Sequence, residues 1–187
     1  MNIPLLLAML AIPGAAVDEK PRLTRILYDV ELVHGERRIM VDLVLNQLND
    51  ELFSISCRKN PGGLLFTCWA TSEGNYIFFP KMDIAFSGPA SEEFGLFPGS
   101  PEMPREQWFL LLYRRTSGKV GNYDVVRKDG WRQLIDPEAG FTLRWRETRR
   151  LFKNRYSKRV FEPQYREVAT HPLKKMKKFW ETHIFEP

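Results

Sequence analysis

The 187 residues suffice for one domain with short tails, above the size at which a single core sustains itself. An apolar fraction of 43% and a charged fraction of 27% exclude a disordered chain. The net charge of +5 is unevenly held: from residue 141 onward thirteen Lys/Arg face five Asp/Glu, while the rest is net acidic. Anionic partners are therefore expected on the last quarter, and a broad nucleic-acid footprint is not.

Residues 1–17 carry no charged side chain. The apolar run 3–10, then Pro13, Gly14, Ala15 and Ala16, outlines a secretory signal cut near Val17. The run is too short to span a bilayer. No Lys or Arg precedes it, so a misplaced start or a fortuitous apolar N-terminus is the alternative.

From residue 25 the texture is strand, turn, strand, with strands expected over 26–31 and 39–45 around His34, Gly35 and Glu36. Ile39, Val41, Leu43 and Leu45 share one face of the second. In 52–58, Phe53, Ile55 and Cys57 alternate with Ser54, Ser56 and Arg58; strands over 64–70, 76–79 and 82–86 complete an antiparallel meander. Ser91, Glu92 and Glu93 read as the start of a short helix. Pro104 opens a better one over 105–115, with Trp108, Leu111, Leu112 and Arg115 at helical spacing. Strands are expected again over 122–127, 131–135, 141–146 and 156–161. Beyond Pro163, Leu173, Met176 and Trp180 fall on one helical face among four lysines, as an interfacial helix or a frayed tail.

Cys57 and Cys68 flank a Pro-Gly-Gly turn. A hairpin folded about Gly62 and Gly63 places them opposite one another, as a disulfide or as two buried thiols. No nucleophile elbow, phosphate-cradling glycine loop or paired-histidine zinc helix is present, so no catalytic residue, metal or cofactor is expected. Between Arg144 and Arg159 lie eight Lys/Arg and only Glu147 in opposition, with Trp145, Phe152 and Tyr156 interleaved. This is either an anion-facing surface, with Arg149, Arg150, Lys153 and Arg155 at its centre, or the solvated outer face of the last strands.

Aromatic residues make up 13% of the chain, more ring surface than a minimal core needs, which suggests a lined cavity. The order of parts resembles the LolA/LolB-like lipoprotein-carrier superfamily of bacterial envelopes, nearest to LolB-like outer-membrane lipoprotein domains. The resemblance is carried by 51–57 (ELFSISC), the Pro-Gly-Gly turn, 64–70 (LLFTCWA), 76–80 (YIFFP), 86–89 (FSGP), the helix with 108–112 (WFLLL) and 140–145 (GFTLRW). It implies an α+β fold over residues 18–162, a curved antiparallel sheet forming an incomplete, half-open β-barrel with helices lidding its concave face, followed by a basic C-terminal tail, 163–187. It also implies an apolar groove for lipid or lipoprotein acyl chains, with Leu43, Leu45, Phe53, Ile55, Trp69, Ile77, Phe79, Trp108, Leu111 and Leu112 as candidate lining. Each buried CH₂ would contribute about 0.8 kcal/mol. The expected place is the periplasm or envelope of a Gram-negative-type bacterium, with peripheral contact to an anionic membrane. The chain lacks the lipidated N-terminal Cys of LolB-like receptors. A non-enzymatic protein-interaction module of an envelope assembly is the alternative, and a filled concavity would favour it.

Overall fold

The computed structural model describes residues 22–48, 52–59, 61–113, 117–165 and 168–183. The signal-like run 1–17, Glu51, Asn60 and Arg115 lie outside them.

Among the described residues eleven strands form one open sheet, with two short helices, an α+β arrangement. In chain order they are β1 (Leu23–His34), β2 (Arg37–Gln47), β3 (Phe53–Lys59), β4 (Gly63–Ala70), β5 (Asn75–Phe79) and β6 (Ile84–Gly88). Helix α1 (Arg105–Tyr113) follows, then β7 (Gly118–Val120), β8 (Tyr123–Lys128), β9 (Trp131–Asp136), β10 (Phe141–Lys153), β11 (Ala169–Pro172) and α2 (Met176–His183). The spatial order is β11-β6-β5-β4-β3-β2-β1-β10-β9-β8-β7, and all pairings are antiparallel except β11 with β6. Short turns explain the meander: Gly35 at φ 60 bends β1 into β2, and Asp129 and Gly130, both at positive φ, make a two-residue hairpin between β8 and β9.

Strand alternation gives the sheet an inner face of Ile26, Tyr28, Val30, Leu43, Leu45, Ile55, Ile77, Phe141, Leu143 and Trp145, all buried. This face is covered by the 89–104 segment, α1 and α2, which contribute Phe94, Phe97, Trp108, Leu112, Met176 and Trp180 to the same cluster. Indole and phenol donors pin the cover: Trp108 Nε1 donates to the Phe94 carbonyl (2.8 Å), Trp180 Nε1 to that of Gly95 (3.0 Å) and the Tyr28 hydroxyl to that of Leu112 (2.5 Å).

Three expectations are corrected. No helix starts at Ser91, Glu92 and Glu93. The segment is a loop closed by backbone bonds between Phe94 and Met103, and Asn75 Nδ2 donates to the carbonyls of Pro89, Ala90 and Glu92, holding the chain there in a non-helical path. The strand expected over 156–161 is instead a 3-10 turn, Lys158–Phe161, capped by the Ser157 hydroxyl, which accepts from the Arg159 N–H. The basic segment beyond Pro163 is no tail. After β10 the chain crosses the outer face of the sheet, where Phe161 is buried and Tyr165 stacks on Phe78 (5.2 Å) and lies by Trp69 (6.2 Å). It then adds β11 beside β6 and returns to the inner face as α2. Leu173, Met176 and Trp180 do share one face, and that face packs into the core while Lys174, Lys175, Lys177 and Lys178 stay exposed.

Trp180 meets Phe79 (5.0 Å) and Phe66 (5.7 Å) edge-on. Trp180→Ala should therefore lower stability in urea unfolding by about 3–5 kcal/mol; a loss under about 0.5 kcal/mol would mark the segment as peripheral.

Candidate functional site

The ten residues expected to line a groove are all buried, but not together. Leu43, Leu45, Phe53, Ile55, Ile77, Phe79, Trp108, Leu111 and Leu112 belong to one packed inner cluster. Phe53 stacks on Phe109 (5.7 Å), and Phe79 is ringed by Phe66, Phe86, Phe179 and Trp180. Trp69 is on the other side. Strand alternation in β4 turns Phe66, Cys68 and Ala70 inward and Trp69 outward, opposite Ser54, beneath Tyr165.

Space opens at one end of the inner face. A cavity of about 810 Å³ lies where the β1–β2 turn, the β9–β10 turn, the 95–102 loop and α2 meet. Its buried lining includes Phe97 and Trp180; its exposed rim carries Glu36, Arg37, Glu102, Lys177 and Glu181. Two features hold the mouth in shape. The Gly35 N–H donates to the Gly140 carbonyl (3.2 Å), tying the two turns together. Gly99, at φ +71, sits so close to His34 that a Cβ there would come within 2.8 Å of the imidazole. Phe97 and His34 were not expected as lining residues. A Pro-Gly loop carries no period from which a facing can be read, and Trp180 was legible only as one point of a helical stripe.

The basic cluster divides. On the outer face Arg144 pairs with Glu31 (2.6 Å) and Arg146 with Asp29 (2.7 Å), both guanidinium groups lying over the Trp131 ring. Glu31, almost fully buried, also takes Arg38 (2.8 Å). Arg150 is structural too: it pairs with Glu147 (3.0 Å), donates to the Tyr113 carbonyl (3.1 Å) and lies over the Tyr113 ring. Arg149, Lys153 and Arg155 make no ion pair among the described residues, and Phe152 beside them is 66% exposed.

The cysteines do not face each other. The connection leaves Lys59 opposite Gly63, and an irregularity after Cys57 sets Cys57 against Phe66 and Cys68 against Ile55. Cys57 and Cys68 are thus diagonal neighbours, about 7–8 Å apart at Cα, too far for a bridge. Both are buried free thiols. Burial pushes each thiol pKa from 9.0 up to about 12, with Asp42 adding at Cys57. Burial likewise raises the Tyr28 hydroxyl to about 12, opposed by Arg132, raised further by Glu147 and opposed by Arg150. No helix among the described residues is long and apolar enough to cross a membrane.

No family profile and no curated protein matches the chain. Solved structures that match include a crystal structure of an uncharacterized conserved protein from Thermus thermophilus, 8% identical, with a TM-score of 0.43 over 82% of this chain and 91% of that one.

Trp108 is wholly enclosed, so Trp108→Glu should unfold the domain outright, seen as lost near-ultraviolet dichroism; a folded variant would mean the cover is loose there. Cys57, Cys68 and Tyr28 keep their protons in the folded chain and lose them in the unfolded one, so stability falls as the pH climbs from about 9 towards 12. The urea midpoint should drop between about pH 8 and pH 10.5, and drop less in a Cys57→Ala, Cys68→Ala variant. An equal drop in both would place the titrating groups elsewhere.

Proposed function

We propose that the protein is a non-enzymatic binder of acyl chains, of lipids or lipoproteins, in the bacterial envelope, and that the chain enters through the cavity at the Phe97–Trp180 end. The half-open barrel, with α1 and α2 as its lid, is the architecture this reading requires. The cavity is the observation that carries it: about 810 Å³ is within the range of small-molecule sites, and its aromatic floor continues into the Phe66–Phe79–Phe86–Phe179 cluster. An apolar floor under a charged rim suits an amphiphile whose tail is desolvated while its polar end stays wet. A chain longer than the cavity would displace part of the aromatic packing beneath, each buried CH₂ contributing about 0.8 kcal/mol towards that cost. Phe152, exposed beside Lys153 and Arg155, is the natural peripheral contact with an anionic membrane.

A second reading has its own support. Nine of the ten expected groove residues are close-packed in the core, as a protein-interaction module would have them, its docking surfaces being the short edge strands β7 and β11.

Ala139 lines the cavity from an exposed turn, so Ala139→Trp should plug it without touching the core. Titration with a fluorescent fatty acid should give saturable binding that this variant weakens about tenfold or more at unchanged urea stability. No binding by the parent protein, or binding indifferent to the plug, contradicts the reading. Lys153→Gln with Arg155→Gln should weaken association with phosphatidylglycerol vesicles at low salt; unchanged, salt-insensitive binding would remove the membrane contact.

A further inference from the structure

A second recess opens beside β10 where its pairing with β9 ends, away from the Phe97–Trp180 cavity and lined by residues of both sheet faces. Arg127 and Gly130 at the β8–β9 hairpin, Arg132 of β9 and residues 145–150 of β10 enclose about 410 Å³. Five arginines line it, Arg127, Arg132, Arg146, Arg149 and Arg150, against one carboxylate, Glu147.

The five are not equivalent. Arg146 and Arg150 are held by Asp29 and Glu147 as described. Arg132 is buried, its guanidinium 5.1 Å from the centre of the Trp145 ring and 5.9 Å from that of Tyr28. Burial draws its pKa down; Tyr28 and Glu147 push it back up, and the neighbouring cation Arg127 draws it down again. A negative charge in the recess would relieve both burdens. Arg127 and Arg149 are exposed and make no ion pair among the described residues.

Trp145 supplies an independent observation. It lines the recess, is wholly buried, and its indole Nε1 has no hydrogen-bond partner among the described residues. Trp108 and Trp180, buried against the same face, each donate to a backbone carbonyl. A buried donor with no acceptor is costly, and this one lies among cations.

We propose that this recess binds a phosphate group, using the open forks of Arg127 and Arg149, the buried charge of Arg132 and the Trp145 N–H. Guanidinium forks match phosphate oxygens two at a time, and the excess of cations over Glu147 suits a dianion better than a single carboxylate. The volume exceeds that of bare phosphate, so the group arrives as a soluble phosphomonoester or as a lipid headgroup. This site does not depend on the acyl-chain reading, because it lies apart from that cavity and needs no apolar tail.

The full chain would be titrated calorimetrically, in chloride buffer, with inorganic phosphate, glycerol phosphate, dihexanoyl phosphatidic acid and, as the zwitterionic control, dihexanoyl phosphatidylcholine. One molecule of a phosphate-monoester probe should bind per chain. Arg127→Gln with Arg149→Gln should weaken it about tenfold or more, and Trp145→Phe, which keeps an aromatic, if smaller, ring and removes the donor, severalfold. Arg58→Gln with Lys59→Gln, exposed cations elsewhere, should leave it unchanged. Binding of glycerol phosphate identifies a soluble source, and binding of the phosphatidic acid alone a headgroup. No phosphate-monoester probe binding, or equal weakening by the Arg58/Lys59 control, overturns the proposal. The Ala139→Trp plug should not affect phosphate binding, so the two sites fail or succeed separately.

Discussion

Everything in this molecule depends on covering one face of an open sheet. Eleven strands turn an almost continuous apolar surface to one side, and strands alone cannot bury it. The cover is made from the least regular parts of the chain, the 89–104 loop and two helices of fewer than ten residues each. Such short helices are marginal alone. They are fixed instead by aromatic area and by three donors, the indoles of Trp108 and Trp180 and the phenol of Tyr28, each satisfied by a carbonyl of the cover. Those bonds make the aromatics directional, so the cover has one seating rather than many.

The same constraint explains why the C-terminal quarter is both basic and structural. The chain leaves β10, straps the outer face through Phe161 and Tyr165, adds a parallel strand at the far edge and comes round to the inner face as α2. Its lysines lie outward because Leu173, Met176, Phe179 and Trp180 are committed inward. What remains open differs in character: an aromatic-floored cavity with a charged rim at one end of the inner face, and an arginine-lined recess beside β10 where β9 ends. The first suits an apolar tail and the second an anion.

Much of the sheet was legible in the sequence, because alternation and turn chemistry act locally. In 141–146 Phe141, Leu143 and Trp145 alternate with Thr142, Arg144 and Arg146 and face inward, and Asp129 and Gly130, both turn formers, make the tight connection between β8 and β9. Alternation also assigns Trp69 to the face of Ser54, so its place outside the groove set is readable in the sequence. What was not legible depends on tertiary partners. Asn75, distant in sequence, donates to the carbonyls of Pro89, Ala90 and Glu92 and holds that segment as a loop. The Cys57–Cys68 pairing failed because the connection takes its turn before Gly63 and the ladder then slips once, a shift no residue type announces. The arginine count was visible as a run; that Arg144 and Arg146 are paired required knowing that β10 lies against β1, whose Asp29 and Glu31 come from the other end of the chain, whereas Arg150 pairs within β10 with Glu147 and Arg149 makes no ion pair among the described residues.

The central claim, that the inner face takes an acyl chain, is tested most directly by native mass spectrometry of the protein purified from a bacterial envelope, followed by lipid extraction. An acylated species retained at close to one per chain and released by solvent extraction is expected. A protein that emerges empty, and stays empty when offered envelope lipids, would contradict it and leave a packed interaction module.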